Sequence, residues 1–136
     1  MAVGNATKDR VQSRGTPRVL LVDDEPGIQF GFSRYLTKTG FSVRESATLS
    51  NAMEALSMEP FDAIILDINL PDGSGLDWIA SLRRKYPDMT IVVMTGCGDS
   101  GLAIESILRG ADDFLRKPVS MEDLTVSLRR SLHNEL

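Results

Sequence analysis

Five short β-rich runs alternate with longer segments of helical spacing from Arg18 onward, and this alternation limits how the chain can fold more than any other feature. Parallel strands need crossover connections long enough for a helix, and their sheets carry helices on both faces. Strands that are apolar throughout and separated in this way predict an α/β fold in three layers around a five-stranded parallel sheet. The predicted strands cover residues 18–22, 41–45, 62–66, 90–94 and 112–116.

Residues that favour helix ends fall between the predicted strands. Pro26 suits the first turn of a helix, and Gly40 and Gly110 suit the position just after a helix ends. Ser120 followed by Asp123 forms a capping-box pattern. These residues predict the start and end of the first helix, the end of the fourth and the start of the fifth.

The length allows one folded domain, since the chain has 136 residues and a domain takes about 100–150. Residues 1–17 are polar without periodicity, which predicts a mobile N-terminal tail and a domain over 18–136. The longest apolar runs are four residues, against about 20 in a membrane-spanning helix. Cys97 has no second cysteine to pair with. We therefore expect a cytoplasmic protein without a membrane partner.

The distribution of charge argues against nucleic acid as a partner. Residues 1–17 carry three basic and one acidic side chain, so the remaining twelve basic and eighteen acidic side chains give 18–136 a net charge of −6. Affinity for nucleic acid comes mainly from neutralising its phosphates, which an acidic domain repels. We expect no direct nucleic acid binding by this chain.

Charged and hydroxyl side chains follow four of the predicted strands. Ligands of parallel α/β sheets bind beyond the carboxyl ends of the strands, so these side chains would meet at one rim. Capping of the next helix is the ordinary alternative for an aspartate at such a position. The side chains are Asp23, Asp24 and Glu25 after the first strand, Asp67 after the third, Thr95 after the fourth and Lys117, followed by Pro118, after the fifth.

Crowded carboxylates on one rim repel each other unless a cation offsets their charge. Oxygen ligands in small number suit Mg²⁺ that keeps several waters, and one cysteine and one histidine do not make a thiolate or imidazole site. Lys117 and the hydroxyl of Thr95 add donors for phosphate oxygens. Asp67 stands alone at its strand end and is the predicted nucleophile, whereas Asp23 and Asp24 form a pair suited to holding the metal.

Four motifs at matching strand ends resemble the receiver domain of two-component response regulators. The resemblance runs from Arg18 to about Leu132, and its motifs are LLVDDEP, ILDINLPDGSGLD, VVMTGCGD and GADDFLRKP. It implies a flavodoxin-like, doubly wound sheet with strand order 2-1-3-4-5 and five helices. LPDGSGLD and TGCGD followed by GADDFLRKP look most similar to receivers of nitrogen-regulatory-type transcription activators.

The resemblance also implies roles for individual residues. Asp67 would accept phosphate from a sensor histidine kinase, and Lys117 would pair with the phosphoryl group. Thr95 and Phe114 would form the switch. The remaining roles are Mg²⁺ binding by Asp23, Asp24, Asp67 and the backbone carbonyl of Asn69, a cis peptide bond between Lys117 and Pro118, and tuning of the phosphate lifetime by Asn69 and Cys97.

A receiver of this kind is regulatory and catalyses only its own phosphorylation and dephosphorylation. The resemblance places the surface that changes on phosphorylation at residues 99–134, where it would control an output module or a partner, in transcription or through a homodimer. In 136 residues we expect a receiver without an attached output module.

Several other interpretations remain open. A Mg²⁺-dependent phosphatase of the haloacid dehalogenase type also uses an aspartate nucleophile, but it needs a D-x-D sequence where this chain has Asp23-Asp24-Glu25. A receiver can also act as a phosphorylation-independent interaction module. Residues 96–101 match G-x-G-x-x-G but follow the fourth strand, which is the wrong context for a dinucleotide fingerprint. The basic run 83–85 is predicted to be a solvated helix face.

Overall fold

The computed structural model describes residues 15–96 and 100–134, and strands and helices alternate along that part of the chain. One irregularity interrupts the alternation, a ribbon of two two-residue strands after the third strand. The elements are β1 (Arg18–Val22), α1 (Pro26–Lys38), β2 (Ser42–Ser46), α2 (Leu49–Met58), β3 (Ala63–Asp67), the ribbon of Asn69–Leu70 and Gly73–Ser74, α3 (Gly75–Lys85), β4 (Thr90–Thr95), α4 (Ser100–Arg109), β5 (Asp113–Arg116) and α5 (Met121–Asn134).

The five main strands form one parallel sheet in the order β2-β1-β3-β4-β5. The flavodoxin-like α/β fold with strand order 2-1-3-4-5 and five helices is therefore confirmed. β1 and β3 lie side by side with Leu21 opposite Ile65, and β3 lies beside β4 with Asp67 opposite Met94. The chain reverses its direction of winding between β1 and β3, and at such a point the loops leave a crevice above the sheet.

Alternate residues of the central strands fill two cores, one on each face of the sheet. Leu20 and Val22 face the core that α2 and α3 cover, and Val19 and Leu21 face the core that α1 and α5 cover. All four side chains are fully buried. Burying one such side chain stabilises the fold by about 1.5–3 kcal/mol, so the central strands are the rigid base of the rim.

The edge strands are less buried than predicted. From the sequence, strands that are apolar throughout were expected at all five positions. β2 has the sequence SVRES, and only Ser46 among its residues is buried. An edge strand has a neighbour on one side only, and charged side chains there discourage pairing with other chains. The predicted bounds of β2 and β3 are also early by one residue, so that Asp67 ends β3 instead of following it.

The predicted helix signals are confirmed. α1 begins at Pro26, and the Oγ of Ser120 accepts a hydrogen bond of 3.0 Å from the backbone N–H of Asp123. Gly40 and Gly110 follow the ends of α1 and α4 with φ angles of +105° and +124°. This left-handed conformation strains any residue with a Cβ atom, so glycine is needed at both turns.

The predicted N-terminal tail lies largely outside the described residues, which begin at Gly15. Within them, the carbonyl of Pro17 accepts a hydrogen bond of 2.9 Å from the backbone N–H of Ser42. Pro17 is therefore already joined to the sheet, one residue before β1 begins. No helix in 15–96 or 100–134 is long and apolar enough to cross a membrane.

Arg83 contradicts the prediction that residues 83–85 form a solvated helix face. Its guanidinium donates hydrogen bonds to the carbonyls of Gly110, Pro87 and Met89 at 3.0, 2.9 and 2.7 Å. It also forms an ion pair of 2.8 Å with Asp112. Periodicity identified the helix but could not show that the turn after α4 would lie against this residue. Arg83 therefore connects the end of α3 to the turn before β5.

We expect Arg83→Ala to lower the free energy of unfolding by about 2–3 kcal/mol, because three carbonyls lose a donor and Asp112 loses its ion-pair partner. Urea denaturation monitored by circular dichroism measures this change. Arg84→Ala is the matched control, since Arg84 is exposed on the same helix and should change stability by no more than about 0.5 kcal/mol. Equal effects of the two substitutions would contradict the structural role of Arg83.

Candidate functional site

The rim above the carboxyl ends of the strands holds most of the predicted site residues. Asp67 and Thr95 are the last residues of β3 and β4. Asp23 directly follows β1, and Lys117 directly follows β5. Since these strands are parallel and adjacent in the order β1-β3-β4-β5, their ends meet on one edge of the sheet.

Three carboxylates form the acidic part of the rim. Asp23, Asp24 and Asp67 each offer an oxygen, and these oxygens lie within 4.8 Å of one another. Asp23 and Asp67 are buried, and Asp24 is exposed. Backbone N–H groups orient the two buried carboxylates: that of Glu25 donates to Asp23 Oδ1 at 2.8 Å, and that of Asn69 donates to Asp67 Oδ1 at 3.0 Å.

Lys117 supplies the positive charge that faces these carboxylates. Its Nζ lies 2.8 Å from Asp67 Oδ2, 3.2 Å from Asp23 Oδ2 and 3.1 Å from Glu25 Oε1. The backbone N–H of Lys117 donates to the carbonyl of Thr95 at 2.8 Å, which holds the loop after β5 against β4. The peptide bond between Lys117 and Pro118 is cis.

Burial and charge oppose each other at this rim. Burial raises the pKa of Asp23 above its ordinary value, and the charge of Asp67 adds to the increase, although the N–H of Glu25 and Lys117 act against it. Burial acts to lower the pKa of Lys117, but the hydrogen bonds to Asp67 and Glu25 outweigh it and the pKa is raised. Lys117 is therefore charged at neutral pH, while the ionised form of Asp23 is held at a cost.

Thr95 contributes a buried hydroxyl with no hydrogen-bond partner among the described residues. Leaving a buried hydroxyl unpaired costs about 1–3 kcal/mol, so this group is available to an acceptor that enters the rim. Phe114 lies in β5, opposite Val93 of β4, and packs half-buried against the core under α2 and α3. The two predicted switch residues thus lie on neighbouring strands.

Asn69 follows Asp67 by two residues. It lies in the ribbon after β3, where it pairs with Ser74. The sequence did not predict this ribbon, because two-residue strands are too short to show a periodic pattern. The second residue predicted to tune the phosphate lifetime, Cys97, lies outside the described residues, as does Asp99 at the start of the predicted 99–134 surface.

Three further residues support the site in roles that were not predicted, although Glu25 was expected at the rim. Glu25 is an ion-pair partner of Lys117, and Gln29 donates through Nε2 to the carbonyls of Asp23 and Ser46 at 2.6 and 3.0 Å. Gly75 begins α3 so close to β3 that a Cβ atom there would lie 2.8 Å from the carbonyl oxygen of Asp67. Only the charge of Glu25, next to the acidic pair, was a usable signal in the sequence.

The acidic cluster has the chemistry of a divalent metal site. Asp23 Oδ2 is buried and has no hydrogen-bond partner among the described residues, although Lys117 lies 3.2 Å away. Carboxylate oxygens of Asp24 and Asp67 complete the cluster. Hard oxygen ligands in this number suit Mg²⁺ with several bound waters. The residues present therefore fit this ion.

An apolar pocket of about 420 Å³ adjoins the rim on the α1 side. Its walls come from the start of α1, from the end of β4 and from the loop between β5 and α5, so Lys117 is part of its lining. The lining residues are Glu25, Ile28, Phe32, Met94, Lys117, Pro118 and Val119.

The strand order and the acidic rim with its facing lysine place the protein in the class of flavodoxin-like α/β domains that bind ligands at the carboxyl ends of their strands. The sequence profile of the response regulator receiver domain matches residues 19–129. The chain belongs to this family. The resemblance seen in its four motifs is thus confirmed.

Individual relatives agree with this assignment. The chain is 36% identical to the response regulator protein PilR of Pseudomonas aeruginosa over 76% of its length. It is also 36% identical to the photosynthetic apparatus regulatory protein RegA of Rhodovulum sulfidophilum over 82% of its length. The chain spans 23% of PilR and 61% of RegA, so it corresponds to only part of each.

Solved structures show the same fold. The beryllofluoride-activated NtrC4 receiver domain dimer matches with a TM-score of 0.82 and 33% identity, covering 88% of this chain and 98% of that one. NtrX from Brucella abortus matches with a TM-score of 0.83 and 27% identity, covering 88% of this chain and 27% of that one. These matches agree with the predicted similarity to nitrogen-regulatory-type activators.

We expect Asp23→Asn to raise the free energy of unfolding at pH 7 without Mg²⁺ by about 1–2 kcal/mol, because it removes a buried charge repelled by Asp67. The raised pKa of Asp23 also means that the folded state takes up the proton first as the pH falls. The stability difference between the variant and the wild type should therefore shrink as the pH falls below the raised pKa of Asp23 toward its ordinary value, because the protonated carboxyl no longer carries the buried charge.

Urea denaturation between pH 7 and pH 4 measures both effects. Asp24→Asn is the control, because Asp24 is exposed. A variant at position 23 that is no more stable than the wild type at pH 7 would show that the ion pair with Lys117 outweighs the cost of burial.

Proposed function

We propose that this protein is a phosphorylation-dependent switch that accepts a phosphoryl group on Asp67 from a sensor histidine kinase. One observation carries the proposal: the buried carboxylate of Asp67 lies 2.8 Å from Lys117 Nζ and within 4.8 Å of the oxygens of Asp23 and Asp24. A nucleophile, a cation for the transferred group and a site for a metal are thus combined at one strand end.

The proposed reaction is a displacement at phosphorus. A carboxylate oxygen of Asp67 forms a bond to the phosphorus of a phosphohistidine while the P–N bond breaks, and the imidazole nitrogen leaves with the electron pair. Lys117 offers its charge to a phosphoryl oxygen, and this charge is maintained because the pKa of Lys117 is raised. In this scheme Lys117 binds and stabilises, and it transfers no proton.

Mg²⁺ is the proposed cofactor, held by Asp23, Asp24, Asp67 and the backbone carbonyl of Asn69. When bound, the ion would offset the negative charge that accumulates between the carboxylates and the phosphoryl oxygens. Asp23 Oδ2 supports this proposal, because this buried carboxylate oxygen makes no hydrogen bond within the described residues and has only the ion pair with Lys117 at 3.2 Å there to offset its charge.

The kinase must bring its histidine to the rim, and the apolar pocket beside Lys117 is the surface that we propose it contacts. Ile28 of α1 and Pro118 and Val119 after β5 provide its apolar walls. An apolar side chain next to a charged reaction site can hold a partner while the charged groups remain free to react. Contact here leaves the exposed side chains of α4, which lies on the other face of the sheet, available for output.

The switch itself rests on Thr95 and Phe114. Phosphorylation adds about −1.5 to −2 charges and three acceptor oxygens. The buried hydroxyl of Thr95 can then donate to a phosphoryl oxygen, and movement of Thr95 leaves space into which Phe114 turns. This selects one of two arrangements of the α4 side of the molecule. We keep the prediction that Asn69 and Cys97 tune the lifetime of the phosphate.

The surface that reads out this change carries exposed apolar side chains. Ile104 and Leu108 lie one turn apart on α4 and are 61% and 78% exposed. We propose that this surface contacts a second copy of the chain after phosphorylation and so controls an output module that acts in transcription. The proposed location of the protein is the cytoplasm. The NtrC4 receiver, a dimer when activated with beryllofluoride, supports this interpretation.

A phosphatase of the haloacid dehalogenase type and a phosphorylation-independent interaction module are the alternatives. The phosphatase lacks support because this chain belongs to the receiver family. The interaction module would not need a buried charged cluster at the rim, and such a cluster is costly to maintain. Turnover of p-nitrophenyl phosphate would support the phosphatase. Failure of acetyl phosphate to modify the wild type would support the interaction module.

We expect acetyl phosphate with Mg²⁺ to add one phosphoryl group to the wild type and none to Asp67→Asn, because the amide is not a nucleophile. Intact mass spectrometry measures the adduct, which should be lost at alkaline pH. Removal of Mg²⁺ by EDTA should reduce its yield by about tenfold or more, because charge compensation at the transferred group is lost. Asp88→Asn, an exposed aspartate far from the rim, is the control and should be phosphorylated normally. An unmodified wild type would refute the proposal.

We expect the wild type to dimerise on adding beryllofluoride and Mg²⁺, and Ile104→Ser with Leu108→Ser to remain monomeric, because the apolar contact is removed. Light scattering after size-exclusion chromatography measures the mass. Met58→Ser is the control, since Met58 is 69% exposed on α2, away from this surface. A dimer in the double variant would place the contact elsewhere.

A further inference from the structure

The ribbon that follows the phosphoacceptor strand is too small to be stable by itself. It consists of Asn69–Leu70 paired with Gly73–Ser74, two residues in each strand. An isolated two-stranded hairpin is marginally stable in water even when it is longer. The ribbon nevertheless holds Asn69 in place beside Asp67, so contacts outside the ribbon must position it.

At its base, the ribbon is attached to the sheet. The backbone N–H of Gly75 donates to the carbonyl of Ile68 at 2.8 Å, and that of Ile68 donates to the carbonyl of Met94 at 3.1 Å. These bonds position the first and last residues of the segment. They do not orient the turn at its far end, where Pro71 and Asp72 lie.

At its tip, the ribbon is attached to α2 by one side chain. Asp72 Oδ1 accepts a hydrogen bond of 2.9 Å from the backbone N–H of Leu49, and Oδ2 accepts one of 3.0 Å from that of Ser50. These donors belong to the first turn of α2, where free N–H groups favour a negative charge. The same bonds lower the pKa of Asp72.

The side chain of Leu49 also lies against the ribbon. A Cβ atom at Gly73 would lie 3.2 Å from Leu49 Cδ1, and the φ angle of Gly73 is +152°. The tip therefore lies close to the start of α2, with the carboxylate of Asp72 on two of its N–H groups. A contact at the far end of a short ribbon restricts the direction of the whole ribbon, including its base at Asn69.

We propose that Asp72 is a positioning residue that sets the Mg²⁺ affinity of the rim, by holding the ribbon so that the Asn69 carbonyl is directed at the metal; this rests on the function proposed above. Asp72 does not touch the metal or the phosphoryl group in this scheme. It acts through the ribbon, as residues behind a ligand commonly orient that ligand.

Asp72→Ala should weaken Mg²⁺ binding by about tenfold, which is typical when a residue that orients a metal ligand is lost. NMR titration with MgCl₂ measures the dissociation constant. The variant should also show faster hydrogen exchange of the ribbon amides. Asp72→Asn keeps one oxygen acceptor for the two N–H groups and should fall between the wild type and Asp72→Ala.

Thr48→Val is the matched control for a loss of stability in α2. The Oγ1 of Thr48 accepts a hydrogen bond of 3.0 Å from the N–H of Asn51, so it caps the same helix without being part of the ribbon. This variant should destabilise the protein in urea while its Mg²⁺ affinity stays within about twofold of the wild type, as expected when no ligand is reoriented.

The outcomes separate this inference from the proposed function. A wild type that binds Mg²⁺, with Asp72→Ala binding it equally well, overturns the role of Asp72 and leaves the proposed function intact. Equal weakening by Asp72→Ala and Thr48→Val overturns it also, because the effect would then come from α2. A wild type that binds no Mg²⁺ refutes the proposed cofactor and the role of Asp72 together.

Discussion

The contact of one lysine with two buried carboxylates is the interaction on which the rest of the rim depends. Lys117 offsets part of the repulsion between Asp23 and Asp67, and without it two buried charges at adjacent strand ends would lack a counterion. The compensation is incomplete, since the pKa of Asp23 stays raised. Because this negative charge is only partly offset, a further cation that enters the site stabilises it. Lys117 can also release one of its carboxylate partners and bind another anionic group. Under the proposed function, the metal and the phosphoryl group are those partners.

The fold divides the site between rigid and adjustable parts. Asp67 and Thr95 end fully buried central strands, so their backbones cannot shift without disturbing the cores on both faces. Asn69 and Lys117 follow their strands in short connecting segments, and local contacts hold them in place. Arg83 lies at the end of the sheet away from the rim, where it joins the end of α3 to the turn before β5. Rigid strands with adjustable loops allow a charge at the rim to change the loops while the sheet stays fixed.

Predictions from the pattern of the sequence succeeded wherever the signal was periodic or depended on one residue type. The five strands and five helices follow from alternating apolar periods, and Pro26, Gly40, Gly110 and Ser120 mark helix ends through their own backbone or side-chain chemistry. Predictions failed where neighbours decide. β2 is polar because it lies at the edge of the sheet, and the ribbon of Asn69–Leu70 and Gly73–Ser74 is too short for any period. Arg83 looked like a surface cation because nothing in its helix indicates what packs against it.

By itself, the sequence determined the fold class, the strand order through its resemblance to receivers, and the set of charged residues at the strand ends, because parallel α/β topology brings all carboxyl ends to one edge. Only the tertiary structure decided how those residues are paired. It paired Lys117 with Asp67 and Glu25 and left Thr95 Oγ1 without a hydrogen-bond partner among the described residues. It also brought Asp72 within hydrogen-bond distance of the first residue of α2. Hydrogen bonds and ion pairs depend on distances of a few ångströms between segments far apart in the chain, and such distances exist only after the chain has folded.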